Sequence, residues 1–274
     1  MKKSRLLWEE ITPTRVIEAF VRRVKEIPHY IAWKSNMGLS RKNKILLKQL
    51  HNKHQNQRCF ILANGPSLKD IDFSLLKNEI TIGMNRIYLL FDKMQFIPTY
   101  YVCINELILD QFHQEIDAVE TTKFLNWRTR KYFTKQPQTL FFKENYTVND
   151  VFKPDITDST TTGATVTYAA LQMAFYMGFK QVIIIGMDHS FVEKGVPSKT
   201  EVRSSEKDES HFHPNYFPKG IKWQLPDLNR SDIDYQLALD HYTKNEREIL
   251  DATPKGNCQI FKKVNYNDLF GNNK

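Results

Sequence analysis

The sequence predicts an α/β protein built on a doubly wound, mostly parallel sheet. Three observations carry that reading. From Arg58 onward, short apolar runs alternate with stretches of helical periodicity. The runs are apolar throughout rather than every second residue, as in strands covered on both faces. The chain is 274 residues long, enough for one large domain with a sizeable core. Strand, helix, strand in this order favours a Rossmann-like sheet whose ligands sit beyond the carboxyl ends of the strands.

Residues 1–57 stand apart as a basic helical extension, and 58–274 form the α/β domain. Helices are expected at Pro13 to Ile27 and Ser40 to Lys53. In the first, Val16, Ile17, Phe20, Val21 and Val24 recur at helical spacing, with Arg15, Arg22, Arg23 and Lys25 on the other side. Two arrangements fit: the apolar side packs on the domain beneath a solvated basic face, or the helix lies on anionic lipid with Trp8 and Trp33 near the interface.

Strands are then expected at Cys59–Ala63, Glu79–Asn85, Thr99–Asn105, Lys123–Asn126, Thr139–Lys143, Gln181–Asp188 and Cys258–Val264. Helical spacing covers Ser67–Asn78, Glu106–Val119, Gly163–Phe179 and about Asp232–Ile249. Between Asp188 and the last helix runs a polar loop, about 189–228, of the length that serves as a lid or binding loop.

The net charge of +8 and a pI near 9.2 point to an acidic partner: nucleic acid, anionic membrane or a phosphorylated substrate. Cys59, Cys103 and Cys258 lack metal-ligand spacing and read as buried thiols of a reducing compartment. Glu9 and Glu10 interrupt any signal-like apolar region, and no apolar run approaches the ~18 residues of a membrane span. The expected location is cytoplasmic, peripheral on the inner face of the membrane.

Four strand ends carry small or amide residues: Asn64-Gly65-Pro66-Ser67, Gly83-Met84-Asn85, Ile104-Asn105-Glu106 and Gly186-Met187-Asp188-His189. Each alone reads as turn punctuation; together they outline one rim. Ser159 to Thr162 and Gly163 precede a long apolar helix, serving either as its cap or as an anion site at its positive end. His211 and His213, with Tyr216, lie in the long loop, where a histidine suits general-base work, half a metal site or a purely structural role. Phosphate loops of the GxxxxGK[ST] and GxGxxG kinds, an Asp-x-Asp pair after a strand and the G-x-S-x-G elbow are missing.

Ile61–Leu76, Ile82–Tyr88 and Thr161–Phe191 resemble bacterial lipooligosaccharide sialyltransferases. They also resemble the surface-glycan and flagellin glycosyltransferases labelled as similar to the archaeal hydroxymethylpterin diphosphokinase. The resemblance covers roughly Arg58 to Phe270 and implies a sialyltransferase-type GT-A variant of the Rossmann-like fold. It implies nucleotide and donor contacts at Asn64, Gly65, Pro66, Ser67, Asn85, Asn105, Thr161, Thr162, Gly163, Asp188, His189 and Tyr216. His211 or His213 stands for the family's general base. Ser159 stands where the family has an arginine and Ser190 where it has a tyrosine, so the resemblance leaves two donors open, a CMP-sialic-acid-like sugar or another nucleotide sugar.

The activity expected is metal-independent glycosyl transfer from a nucleotide-activated sugar to a cell-surface glycan or glycolipid, with help from lid hydroxyls and Lys194 or Lys199. No cofactor is required in this reading, and no nucleic acid is bound. Self-association and membrane contact through the basic N-terminus are further expectations. The alternatives are an ATP-dependent pyrophosphokinase with magnesium on Asp188, Asp155 or Asp158, and a nucleic-acid-binding module.

Overall fold

The computed structural model describes residues 13–133, 137–145 and 151–271. Eight parallel strands form one sheet: β1 (Arg58–Leu62), β2 (Thr81–Met84), β3 (Tyr100–Cys103), β4 (Thr122–Asn126), β5 (Thr139–Phe142), β6 (Gln181–Ile185), β9 (Glu248–Asp251) and β10 (Lys262–Lys263). The two intervening strands, β7 (Thr200–Val202) and β8 (Lys222–Gln224), pair with each other as an antiparallel hairpin. Helices α1 (Pro13–Lys34), α2 (Gly38–Gln49), α3 (Phe91–Met94), α4 (Glu106–Gln111), α5 (His113–Asp117), α6 (Val166–Tyr176) and α7 (Leu228–Lys244) complete the fold.

The strand order is β10-β9-β6-β1-β2-β3-β4-β5. The chain therefore builds outward from β1 to β5, returns to the other side of β1 at β6, and grows outward again. Every residue of β2, β3 and β5 is buried, so the sheet is covered on both faces as its uninterrupted apolar runs require. At the β5 edge, the Asn43 side chain of α2 donates to Phe141 O and accepts from Phe141 N, both at 2.6 Å. An amide thus supplies the pairing that a ninth strand would have made.

Several boundaries differ from the sequence expectation, each for a local reason. The stretch from Ser67 to Asn78 forms two 3-10 turns, Pro66–Asp70 and Phe73–Leu76, the second capped by Asp72 accepting from Ser74 N at 3.0 Å. The expected helix at Glu106–Val119 breaks at Phe112 into α4 and α5. The last helix ends at Lys244, and Glu248–Asp251, expected as its tail, is the strand beside β6. Apolar residues at Ile249 and Leu250 satisfy either period in so short a run. Of Cys258–Val264 only Lys262 and Lys263 are strand.

α1 does not pack its apolar side on the domain, the first of the two expected arrangements. Ile17, Phe20, Val21 and Val24 are exposed, as are Ile27 and Ile31; the side chains of Arg15, Val16 and Arg22 lie outside the described set. The face against the domain carries Glu26, which pairs with Arg128 (3.3 Å) and Lys143 (3.1 Å), and Trp33, which is fully buried beside Trp127. Trp33 is therefore a core residue, and Trp8 falls outside the described residues.

Candidate functional site

Between β1 and β6 the direction of winding reverses, and the loops that leave the two strands diverge, opening a crevice at their carboxyl ends. A cavity of about 540 Å³ lies there. Its floor is the turn after β1. Gly65 N donates to Gly186 O (2.8 Å), and Asp188 accepts from Ser67 N (3.1 Å) and Ser67 Oγ (2.7 Å). A Cβ on Gly65 would stand 1.8 Å from Asp188 Oδ2, so only glycine admits this approach. Burial raises the Asp188 carboxyl pKa, and the two Ser67 hydrogen bonds oppose the rise. Pro66 and Ser67 do not line the cavity; they form the turn that Asp188 locks. Asp188 does line it, but its carboxylate is committed to Ser67.

Asn64, Asn85 and Asn105, each just past a strand, line the cavity together. Their roles separate. Asn105 caps α4 by accepting from Leu107 N (2.9 Å). The side-chain oxygens of Asn64 and Asn85 are buried with no hydrogen-bond partner in the protein. Asn85 takes a left-handed conformation (φ 49°), and its carbonyl accepts from Tyr101 Oη. Buried polar atoms are rarely left unpaired, so two acceptors on one cavity call for donors from outside the chain.

The hydroxyl run is a buried loop, and the helix begins later than expected. Thr160 bridges to Glu144, extending the β5 edge, and Gln172 accepts from Thr161 N (3.2 Å). Among these four hydroxyl residues only Thr162 lines the cavity, and its hydroxyl donates to Glu144. Thr161 is buried outside it. Gly163 does line the cavity; φ is +57°, and a Cβ there would be 2.2 Å from Asp234 Oδ2. Asp234 also accepts from Ala164 N (2.8 Å), and the cap of α6 is Thr165. The cap is thus Thr165, outside the hydroxyl run expected to supply it, and residues 163–167 bring the positive end of α6 to the cavity.

The long segment after β6 closes the opposite wall. Phe212 N donates to Asn64 O (3.1 Å), and the Arg86 guanidinium donates to Asn215 O (2.9 Å) and Tyr216 O while lying 3.8 Å over Phe112. Phe212, Tyr216, Phe217 and Trp223 are buried. The segment read as a polar loop is thus a docked lid with its own aromatic core and the β7–β8 hairpin.

Within it, Asp208 has a fully buried carboxylate that accepts from Ser210 N (3.0 Å) and Phe217 N (3.2 Å), and contacts His211 Nδ1 at 3.0 Å. Burial alone would raise the Asp208 pKa, but the hydrogen bond and charge of His211, with the Arg203 charge, hold it below the ordinary carboxylate value. The His211 ring lies 4.0 Å from the Tyr216 ring and nearly parallel to it. His211 and Tyr216 line the cavity; His213 does not, and its Nδ1 accepts from Asn215 N (3.1 Å). Of the two histidines left open by the sequence, the one on the cavity is His211.

His189 lines the cavity and pairs with Asp232 at 2.8 Å. Lys194 and Lys199 are exposed and outside the lining, Lys199 facing Glu201 at 3.1 Å. Asp155 accepts from Thr157 and Asp158 pairs with Lys34, so neither reaches the cavity. Among the described residues no lysine or arginine lines it, while Glu106, Glu144, Asp188 and Asp227 do. Among the described residues no group of three or more His, Cys, Asp or Glu is placed to hold a metal ion, and no helix is long and apolar enough to cross a membrane.

Sequence reasoning missed Asp208, Glu144, Asp234 and Arg86. Asp208 alone carried a local signal, an acid three residues before a candidate base. The others act across 18 or more residues, as Glu144 does on Thr162 and Asp234 on Ala164.

No curated protein matches the chain. The solved structure of MAf glycosyltransferase from Magnetospirillum magneticum AMB-1 is similar to it with a TM-score of 0.48 and 14% identity, over 93% of this chain and 42% of that one. The chain thus spans less than half the length of that protein. Residues 35–194 match the family described as 6-hydroxymethylpterin diphosphokinase MptE-like. That match runs from α2 through β6, taking in the reversal point and the turns bearing Asn64, Asn85 and Gly163, and stops before Asp208 and His211. More than half of the sequence lies within it, and the chain belongs to the MptE-like family.

Proposed function

We propose that the protein is a glycosyltransferase that moves a sugar from a nucleotide-activated donor to a glycan acceptor, with His211 as general base. The observation that carries this reading is the sharing of one cavity by His211 and the unpartnered amide oxygens of Asn64 and Asn85. Asp208 holds Nδ1, so Nε2 is the nitrogen turned away from the carboxylate, as a base oriented for proton removal requires. The Asn64 and Asn85 oxygens accept from hydroxyl or amino groups of the nucleoside. The acceptor hydroxyl loses its proton to Nε2 as its oxygen attacks the anomeric carbon, and the bond to the nucleotide phosphate breaks. The start of α6 faces the cavity where that phosphate gains charge.

A second reading has its own support. The family takes its description from a diphosphokinase, and the cavity presents Glu106, Glu144 and Asp227 with no lysine or arginine among the described residues. A di- or triphosphate in such a place calls for a divalent cation brought with it. Thermal shifts with CMP, UDP, GDP and ATP, each with and without magnesium, separate the two, because a ligand that binds only the folded state raises its melting temperature. Stabilisation by one nucleotide without magnesium, together with sugar transfer in EDTA, is the expected result. Stabilisation by ATP with magnesium alone, with transfer abolished by EDTA, would replace the first reading by the second.

A further inference from the structure

We infer that α1 docks the protein on an anionic membrane surface, apolar face toward the lipid. A surface helix of a soluble protein ordinarily turns its apolar stripe inward. This helix does the reverse. Ile17, Phe20, Val24, Ile27 and Ile31 recur at three- and four-residue spacing, and all are 47–65% exposed. They make a stripe about 21 Å long, at 1.5 Å per residue. The inward face is held by Trp33 packed on Trp127 and by polar contacts: Glu26 to Arg128 and Lys143, His29 Nδ1 to Arg130 at 2.9 Å, and His29 O to Trp127 Nε1 at 3.0 Å. The stripe is therefore turned outward by design of the contacts beneath it, and so continuous an apolar surface marks an interaction site.

Charge selects the occupant. Arg23 and Lys25 are exposed on the solvent side of the helix, while Glu26, the acidic residue among its described side chains, is turned inward. Two copies of this face would set like charges against each other. Anionic headgroups attract them, and large apolar residues flanked by Arg and Lys suit the boundary between headgroups and acyl chains.

The helix is also tied to the cavity wall. Glu26 contacts Arg128, which contacts Glu106 at 2.8 Å, and Glu106 lines the cavity. Lys143, the other partner of Glu26, precedes Glu144, which lines it too. Docking through α1 brings this wall toward the lipid, whatever chemistry the cavity performs.

Sedimentation of the full chain with vesicles tests this, using phosphatidylcholine alone and phosphatidylcholine mixed with phosphatidylglycerol. Binding is expected to the mixed vesicles only, and to weaken as salt is raised. Phe20→Glu with Ile27→Glu lowers partitioning on the order of a hundredfold, about tenfold for each apolar side chain withdrawn from lipid. Arg23→Gln with Lys25→Gln, which leaves the apolar stripe and the fold untouched, lowers it on the order of tenfold. Equal binding to both vesicle types, or unchanged binding by either variant, overturns the inference. So does light scattering that shows a dimer which the glutamate variant splits, since the face would then belong to a second copy of the chain.

Discussion

His211 and Gly65 show how little latitude single positions in this cavity allow. His211 is held by a carboxylate on one nitrogen and by the Tyr216 ring against its face, so its other nitrogen has a defined direction. Replacing it by Ala is expected to lower turnover on the order of 10²–10⁴-fold, the usual share of a general base. Asp208→Asn should lower it as well and change the shape of the pH–rate profile, because the imidazole loses its fixed tautomer. His213→Ala should leave turnover near the parent value; a loss there equal to that of His211→Ala would reverse the assignment. Gly65→Ala forces a methyl into a space that ends 1.8 Å away at Asp188 Oδ2. A destabilisation of about 1–3 kcal/mol is expected from such overpacking, read as a lower denaturation midpoint. An unchanged midpoint would mean that the turn after β1 is not locked.

At the scale of elements, Arg86, two residues past β2, ties the lid to the sheet. Its guanidinium reaches the carbonyls of Asn215 and Tyr216 and lies on Phe112. Arg86→Ala should free the lid without unfolding the strands. Limited proteolysis is then expected to cut within residues 203–221 faster than in the parent, and the apparent affinity for the nucleotide to fall. Equal cleavage rates in the two proteins would assign the docking to the aromatic cluster of Phe212, Phe217 and Trp223 instead. The expected single helix from Gly163 to Phe179 and the observed α6 differ because Gly163 is held at positive φ by Asp234, seventy residues away, so the dipole end faces the cavity only once α7 is packed.

Across the molecule, four carboxylates whose pKa values are shifted respond to acid in opposite ways, two by two. Burial raises the pKa of Asp188 and of Asp234, so their protonation as pH falls does not weaken the fold. In the lid the order is reversed. Burial of Asp208 is outweighed by His211 and Arg203, and burial of Glu193 by Ser210 and Arg203, leaving both pKa values below the ordinary range. A carboxylate depressed in the folded state stabilises it above the unfolded-state pKa, and that contribution is lost as pH falls through the folded one. The lid is therefore expected to loosen below about pH 4 while the sheet persists. Fluorescence of the buried Trp223, isolated by comparison with Trp223→Phe, should change in that window ahead of far-ultraviolet circular dichroism. Simultaneous loss of both signals would show that lid and sheet unfold together.

What the sequence determined by itself was the layer architecture and the rim. Uninterrupted apolar runs such as Val182–Ile185 can be buried only between two covers, and the amides and glycines after β1, β2 and β3 sit where a parallel sheet places its ligand. Strand β9 escaped because its two apolar residues, Ile249 and Leu250, satisfy both periods, and the lid's docking escaped because its backbone is held by Asn64 and Arg86, far along the chain. Only the tertiary structure decided which of those rim residues face the cavity and which hold the turn, that His211 rather than His213 has a carboxylate behind it, and that the stripe of α1 points outward. Periodicity marks a face as apolar; the partners that face meets, here Arg128 and Lys143 drawing Glu26 inward, set its direction.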